Sequence, residues 1–221
     1  MIKEFLLNLL FPRKCVNCLH KGYIVCPECL RTITFLKQFE NGLVSCVDYK
    51  KSEVVRKMII SFKYKFDEDI SLILSKILKT QFVYLSQYNS EFKNAIFVPV
   101  PLHNKRLMYR GFNQSLILAQ NLLEDLKNDP ELENYFANIE IANCLKRIVY
   151  RKPQAELGQF ARLENIKNTI IFDGNFRELI YGRFVFVIDD VATTRATLDE
   201  CSHILLSAGA LGVCGFVLAR A

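Results

Sequence analysis

The chain has 221 residues, 51% of them hydrophobic and 24% charged, and a formal net charge of +6. That composition supports a globular core and excludes a disordered or low-complexity protein. No run approaches the roughly 18 unbroken apolar residues that a membrane span needs, so no span is expected.

At the start, Ile2, Phe5, Leu6 and Leu9 share one helical face. Asn8 interrupts this apolar run, and Pro12, Arg13 and Lys14 close it without a small-residue cleavage site. The pattern predicts a short amphipathic helix, not an export signal. A cysteine-rich segment with little periodicity follows, over residues 13–31. LVSCVDY at 43–49 reads as a strand. Val54, Val55, Met58, Ile59 and Phe62 lie at helical spacing within 53–64, and another helical pattern runs from about Asp69 into the 80s.

AIFVPV at 95–100 is a continuous apolar run that stops at prolines, as a buried strand does. A basic loop with Lys105, Arg106 and Arg110 comes next, then a helix from about Asn113 to Lys127. Residues 128–173 are polar and irregular and read as an insertion or lid more than as core. A second basic loop there carries Lys146, Arg147, Arg151 and Lys152. RFVFVIDD at 183–190 is the clearest buried strand. A helix over about Thr197 to Ser207 is stopped by Gly209, and VCGFVLA at 213–219 forms the last strand. Strands alternating with helices imply an α/β fold with a parallel sheet and right-handed crossovers. The expected division is a helix and cysteine knuckle over 1–36 and an α/β domain over 37–221, with the lid or hood at about 128–173.

Four of the eight cysteines fall within fifteen residues, as Cys15-Val-Asn-Cys18 and Cys26-Pro-Glu-Cys29. Two residues between ligands let one tight turn aim both thiolates at a single ion, and two such turns complete a tetrahedron. Cys15, Cys18, Cys26 and Cys29 are therefore the candidate ligands of a structural zinc, which supplies folding free energy a segment this short lacks. His20, between the hooks, is the alternative ligand and reads as a surface residue. Cys46, Cys144, Cys201 and Cys214 sit among apolar neighbours and read as core thiols. Such usage points to a reducing, cytoplasmic environment.

The run Asp189-Asp190-Val191-Ala192-Thr193-Thr194-Arg195-Ala196-Thr197 follows the best strand and opens a helix. Free backbone N–H groups and the positive end of the helix dipole make such a turn a phosphate site. Thr193, Thr194 and Thr197 add hydroxyl donors. Asp189 and Asp190 are placed to accept from sugar hydroxyls or to sit near a magnesium ion. The bland alternative is a strand ending in acids, with threonines capping a helix. A second loop, Val98-Pro-Val-Pro-Leu-His103 with Arg106 and Arg110-Gly111-Phe-Asn-Gln114, ends the other confident strand. Its arginines can reach an anion, and Gly111 suits a tight turn.

The acid pair with its threonine loop resembles the phosphoribosyl-pyrophosphate signature of type I phosphoribosyltransferases. It departs from that signature at Arg195, where a glycine is usual. Glycine tolerates positive φ and admits backbone close to phosphate; Arg195 either donates to the phosphate itself or crowds it. The two cysteine hooks, Val-Pro-Val-Pro-Leu…Arg-Gly-Phe-Asn-Gln and Asp-Asp-Val-x-Thr-Thr-x-x-Thr, in this order, are similar to the ComF family, as is the intervening Gln154…Leu157…Arg162…Asn165. The resemblance covers about residues 10 to 219. It implies a type I phosphoribosyltransferase-like sheet and a cytoplasmic role in natural transformation. The implied ligands and partners are phosphoribosyl pyrophosphate with magnesium, single-stranded DNA, and recombination-mediator or DNA-uptake proteins. In a working transferase, Asp189, Asp190, Arg106 and Arg110 carry the chemistry. Residues 189–197 hold the ribose and its 5′-phosphate, and Arg110 and Gly111 lie at the pyrophosphate. Three functions stay open: a DNA-uptake factor that binds phosphoribosyl pyrophosphate, an active phosphoribosyltransferase for an unidentified base or amine, and a zinc-stapled scaffold with a decayed pocket.

Overall fold

Along Phe184–Ala192, Phe186 and Ile188 face one hydrophobic cluster while Val185 and Val187 face another. This period of two, apolar on both sides, is the signature of a central strand covered on both faces. The computed structural model describes residues 13–36, 39–65, 67–150 and 169–221. Its strands are β1 (Phe39–Glu40), β2 (Leu43–Asp48), β3 (Ile96–Pro99), β4 (Glu140–Ile141), β5 (Leu145–Arg147), β6 (Ile170–Phe172), β7 (Phe184–Ala192) and β8 (Gly212–Arg220). The helices are α1 (Pro27–Arg31), α2 (Glu53–Lys65), α3 (Glu68–Ser86), α4 (Asn104–Arg110), α5 (Gln114–Lys127), α6 (Arg177–Ile180) and α7 (Ala196–Ser207). The expected N-terminal helix and the Gln154…Asn165 segment lie outside the described residues.

The main sheet runs β1-β2-β8-β7-β3-β4, parallel throughout except for β1 against β2. Helices α2, α3 and α5 cover one face with Phe62, Leu74, Phe82 and Leu118, around a cluster of edge-on and tilted rings from Phe82, Phe97, Phe186 and Phe216. Helix α7 and the small β5–β6 sheet cover the other with Leu198, Cys201, Leu145 and Ile170. The expected mostly parallel sheet flanked by helices is therefore present. Strands β1 and β2 are joined by Asn41-Gly42, both at positive φ, the two-residue turn whose twist suits a hairpin.

The chain leaves β3 through α4 and α5 toward β4, and leaves β7 through α7 toward β8 on the opposite side. Adjacent parallel strands whose crossovers depart in opposite directions form a topological switch point, and a crevice opens beyond their carboxyl ends. Strand lengths deepen it. Pairing of β3 with β7 ends at Pro99↔Ile188, whereas β7 continues to Ala192 against β8. Pro99 and Pro101 lack a ladder donor, and Val100, between them, makes a last bond to the Ile188 carbonyl at 3.0 Å. Asp189, Asp190, Val191 and Ala192 thus project past β3.

Several local expectations are corrected. The basic stretch after Pro101 is not a loop but α4, capped at its start by His103 Nδ1, which accepts from the Lys105 N–H, and at its end by Gly111 at φ 85°. Val191 and Ala192 belong to β7, and α7 starts at Ala196, one residue before Thr197. Residues 128–150 are not peripheral: Phe136, Ile139, Ala142, Cys144 and Leu145 are buried, and β4 extends the main sheet. The sequence hid this because its apolar residues come singly or in runs of two or three among polar ones, without a sustained helix or strand period. Lys146 and Arg147, expected in a loop, lie on β5.

Candidate functional site

Strand β7 places two adjacent carboxylates at the switch point. Asp189 Oδ1 accepts from Ser115 Oγ at 2.8 Å and from the Asp190 N–H at 2.9 Å. Ser115 is in the first turn of α5, where Asn113 caps the helix by accepting from the Ser115 N–H and donates to the Val100 carbonyl at 3.1 Å. The Arg-Gly-Phe-Asn turn is thereby tied to the end of β3 and to the acid pair. Burial and the neighbouring Asp190 push the Asp189 carboxyl up to about 6, against the opposing pull of Lys63 and Ser115.

Asp190 is almost completely buried, and its Oδ1 pairs with Lys63 Nζ of α2 at 2.8 Å. Its Oδ2 is buried with no hydrogen-bond partner among the described residues. Native proteins rarely leave such an acceptor unsatisfied.

Beyond Ala192, Thr193 is exposed and Thr194 and Thr197 are half-buried around the start of α7. Arg195 occupies the N-cap position at φ 61°, in the left-handed region where a glycine would be free of strain. Its guanidinium turns away from the turn. Nη2 donates to the Asn41 carbonyl in the β1–β2 hairpin and lies 3.8 Å from Asp199 Oδ1. The side chain thus contacts the β1–β2 hairpin and the first turn of its own helix.

The two arginines from the other loop differ. Arg110 Nη1 is bonded to Gln114 Oε1 one turn along. Arg106, half-buried on α4, lies close enough to Arg147 to oppose the charge there. Arg147 reaches from β5 to donate to Thr197 Oγ1 at 3.3 Å, while its neighbour Lys146 points outward to Asp173 at 2.8 Å. Lys63 and Ser115 are site residues that sequence reasoning did not single out, and Arg147 was expected only as one of a basic group. Ser115 had a local signal, the second residue after a helix-capping Asn; Lys63 had none.

The four hook cysteines form a second centre. The Sγ atoms of Cys15, Cys18, Cys26 and Cys29 all lie within 4.8 Å of one another. Zn–S bonds of about 2.3 Å place tetrahedral sulfurs roughly 3.8 Å apart, so the cluster can close on such an ion. The Cys26 N–H donates to Cys15 Sγ at 3.4 Å and Asn17 Nδ2 to Cys29 Sγ at 3.3 Å, the polarity expected for thiolates. His20 is exposed and packs against the Tyr23 ring, outside the cluster. Lys57 Nζ to the Asn17 carbonyl and Arg13 to Asp69 pin the knuckle to α2 and α3. Cys15, Val25, Cys26 and Cys29 join the main core. The other four cysteines are fully buried, and burial pushes the Cys144 and Cys214 thiols up to about 12, as inert core groups.

No family model matches the chain. It is 35% identical over 124 residues to competence protein F of Haemophilus influenzae, covering 56% of this chain and 49% of that protein. It is 29% identical over 180 residues to DNA utilization protein YhgH of Escherichia coli, covering 80% of this chain and 71% of that one. Competence protein ComFC of Bacillus subtilis is 27% identical over 177 residues, 78% of this chain and 62% of the relative. The chain thus spans about half the length of the Haemophilus protein. Relatives of these names align over up to four-fifths of the chain, and in this it is similar to proteins of the ComF family.

Proposed function

We propose that this chain supports DNA uptake in natural transformation through a type I phosphoribosyltransferase-like domain whose switch-point crevice binds phosphoribosyl pyrophosphate. The observation that supports this reading is the convergence of Asp189, Asp190, Ser115 and the Thr193–Thr197 turn at the ends of β3 and β7. In it, Asp189 and Asp190 hold the ribose hydroxyls or a magnesium ion, with the unpartnered Asp190 Oδ2 as the open acceptor. The turn from Val191 to Thr197 receives the 5′-phosphate, and Arg106, Arg110 and Gly111 lie toward the pyrophosphate. Cys15, Cys18, Cys26 and Cys29 hold a structural zinc that closes the knuckle against the core. The knuckle and the exposed Lys105 on α4 face single-stranded DNA, or recombination-mediator and uptake proteins, in the cytoplasm. The names of the relatives, competence protein and DNA utilization protein, support the pathway.

Calorimetric titration of the zinc-loaded protein with phosphoribosyl pyrophosphate and magnesium tests the pocket. One saturable site lost on Asp190→Asn is expected; no heat under any magnesium concentration refutes it. A gel shift with single-stranded DNA, weakened by Lys105→Gln and by added salt, tests the nucleic-acid arm.

A second reading, transfer of phosphoribose to an unidentified base or amine, uses the same crevice, with Asp189, whose carboxyl is pushed up to about 6 by burial and Asp190, beside Ser115 at the end of β7. Isotopic pyrophosphate exchange in the presence of candidate acceptors supports that reading, and its absence with every nucleobase and ammonia refutes it.

A further inference from the structure

The side chain of Arg147 is a half-buried cation beside the start of α7, without an ion pair among the described residues. Strand β5 aims it inward, opposite to Lys146, because successive side chains on a strand point to opposite faces. Its Nη2 reaches Thr197 Oγ1 at 3.3 Å, in the first turn of α7. Its Nε is buried with no hydrogen-bond partner among the described residues. Among the described residues its hydrogen-bond partner is thus a neutral hydroxyl, and no carboxylate lies within ion-pairing distance.

The nearby acids are otherwise engaged. Glu200 Oε1 accepts from the Thr169 and Ile170 N–H groups at 2.7 and 3.1 Å, and Oε2 from Thr169 Oγ1 at 3.1 Å, so this carboxylate anchors the start of β6. Asp189 is held by Ser115. Burial depresses the Arg147 guanidinium, and Arg106 adds to that depression, while Cys201, Asp189 and Glu200 oppose it from a distance. A desolvated cation beside a second cation, with no ion pair of its own, is unfavourable unless something anionic completes the arrangement. The place where that anion fits is fixed by Thr197: at the N-terminus of a twelve-residue helix, within reach of the same hydroxyl.

The geometry points to Arg147 as the residue that reads the 5′-phosphate of the bound sugar phosphate, reaching across from the small sheet to the turn that opens α7. This rests on the phosphoribosyl-pyrophosphate reading of the crevice and assigns to Arg147 a binding role that a surface loop residue would not have. Its planar fork can keep Thr197 on one nitrogen and offer the others to phosphate oxygens. Arg147 thereby ties the β5–β6 sheet to the occupied site.

The test is calorimetric titration of the zinc-loaded protein, wild type, Arg147→Met and Arg147→Lys. The ligands are phosphoribosyl pyrophosphate with magnesium, ribose 5-phosphate, and inorganic pyrophosphate, with thermal melts of each free protein alongside. Arg147→Met is expected to weaken phosphoribosyl pyrophosphate and ribose 5-phosphate by roughly 10- to 100-fold, the loss of one charge-assisted hydrogen bond. Pyrophosphate binding stays within about threefold of wild type, a span below one such bond. Arg147→Lys restores part of the loss, since it keeps the charge without the fork. The free Arg147→Met protein melts no lower than wild type, because methionine removes a desolvated charge. Wild-type binding of ribose 5-phosphate with an unchanged Arg147→Met variant overturns the assignment and leaves the pocket standing. So does a loss confined to pyrophosphate, which moves Arg147 to the other end of the ligand. A wild-type chain that binds none of the three compounds overturns the pocket reading and this role together.

Discussion

The ion pair between Lys63 and Asp190 is the sharpest quantitative handle on the site. Nζ and Oδ1 are 2.8 Å apart, the Asp190 side chain is 4% exposed and that of Lys63 24%. Lys63→Met keeps the length and apolar stem of the side chain and removes only the ammonium. Asp190 is then left with neither oxygen partnered among the described residues, since Oδ2 has no partner already. Removing one member of a buried pair costs about 3–5 kcal/mol. The partial exposure of Lys63 places this case near the lower end, about 3 kcal/mol. For a chain of this size that corresponds to a melting temperature lower by roughly 6–12 °C. Urea or thermal denaturation at neutral pH measures it, and the double variant Lys63→Met/Asp190→Asn recovers at least about half of the loss, because the stranded charge is gone. Lys63→Met within about 0.5 kcal/mol of wild type, the range of an ordinary surface substitution, would refute the reasoning. A double variant no more stable than the single would refute it equally.

Other perturbations bear on the same site. The Asp189 carboxyl rises from 3.8 to about 6 on folding, so between these values the folded chain holds more protons than the unfolded one. Stability therefore falls through this group as pH rises from about 4 to about 6, and Asp189→Asn flattens that slope in a pH series of urea melts. Arg195→Gly relieves a positive-φ arginine, a strain of about 1–2 kcal/mol, and releases the hairpin contact. Because the guanidinium faces Asn41, affinity for phosphoribosyl pyrophosphate stays within about threefold of wild type by calorimetry, a span well under one hydrogen bond. A larger loss would show that the side chain swings into the turn when ligand binds. Elemental analysis is expected to find one zinc per chain. Chelation, or Cys26→Ser, lowers the global unfolding transition and does not produce a separate early one, because Cys15, Val25, Cys26 and Cys29 are continuous with the main core.

Much of this protein is local in origin. The apolar runs at 95–100 and 183–190 specify β3 and β7 because a strand buried on both faces has no polar side to show. Spacing alone brings the hook cysteines within reach of one another. The acid pair, the threonine turn and the Arg-Gly-Phe-Asn motif were each legible in place, since each sits at a strand end or a helix start. Asn41-Gly42 carries a readable hairpin signal as well. What no local pattern contains is which side chain completes which. Ser115 meets Asp189 across 74 positions, Arg147 meets Thr197 across 50, and the Arg195 guanidinium finds Asn41 across 154. Those partnerships depend on the strand order β2-β8-β7-β3-β4, which sets α2, α5 and β5 around the end of β7. Residue type and spacing determined where the acid pair and the threonine turn lie, and brought together four cysteines that could hold a metal ion. Only the packed sheet decided that Lys63 and Arg147, ordinary basic residues by sequence, are desolvated beside the acids and the helix start. Burial is a property of the whole fold, and burial is what gives a charge its energy.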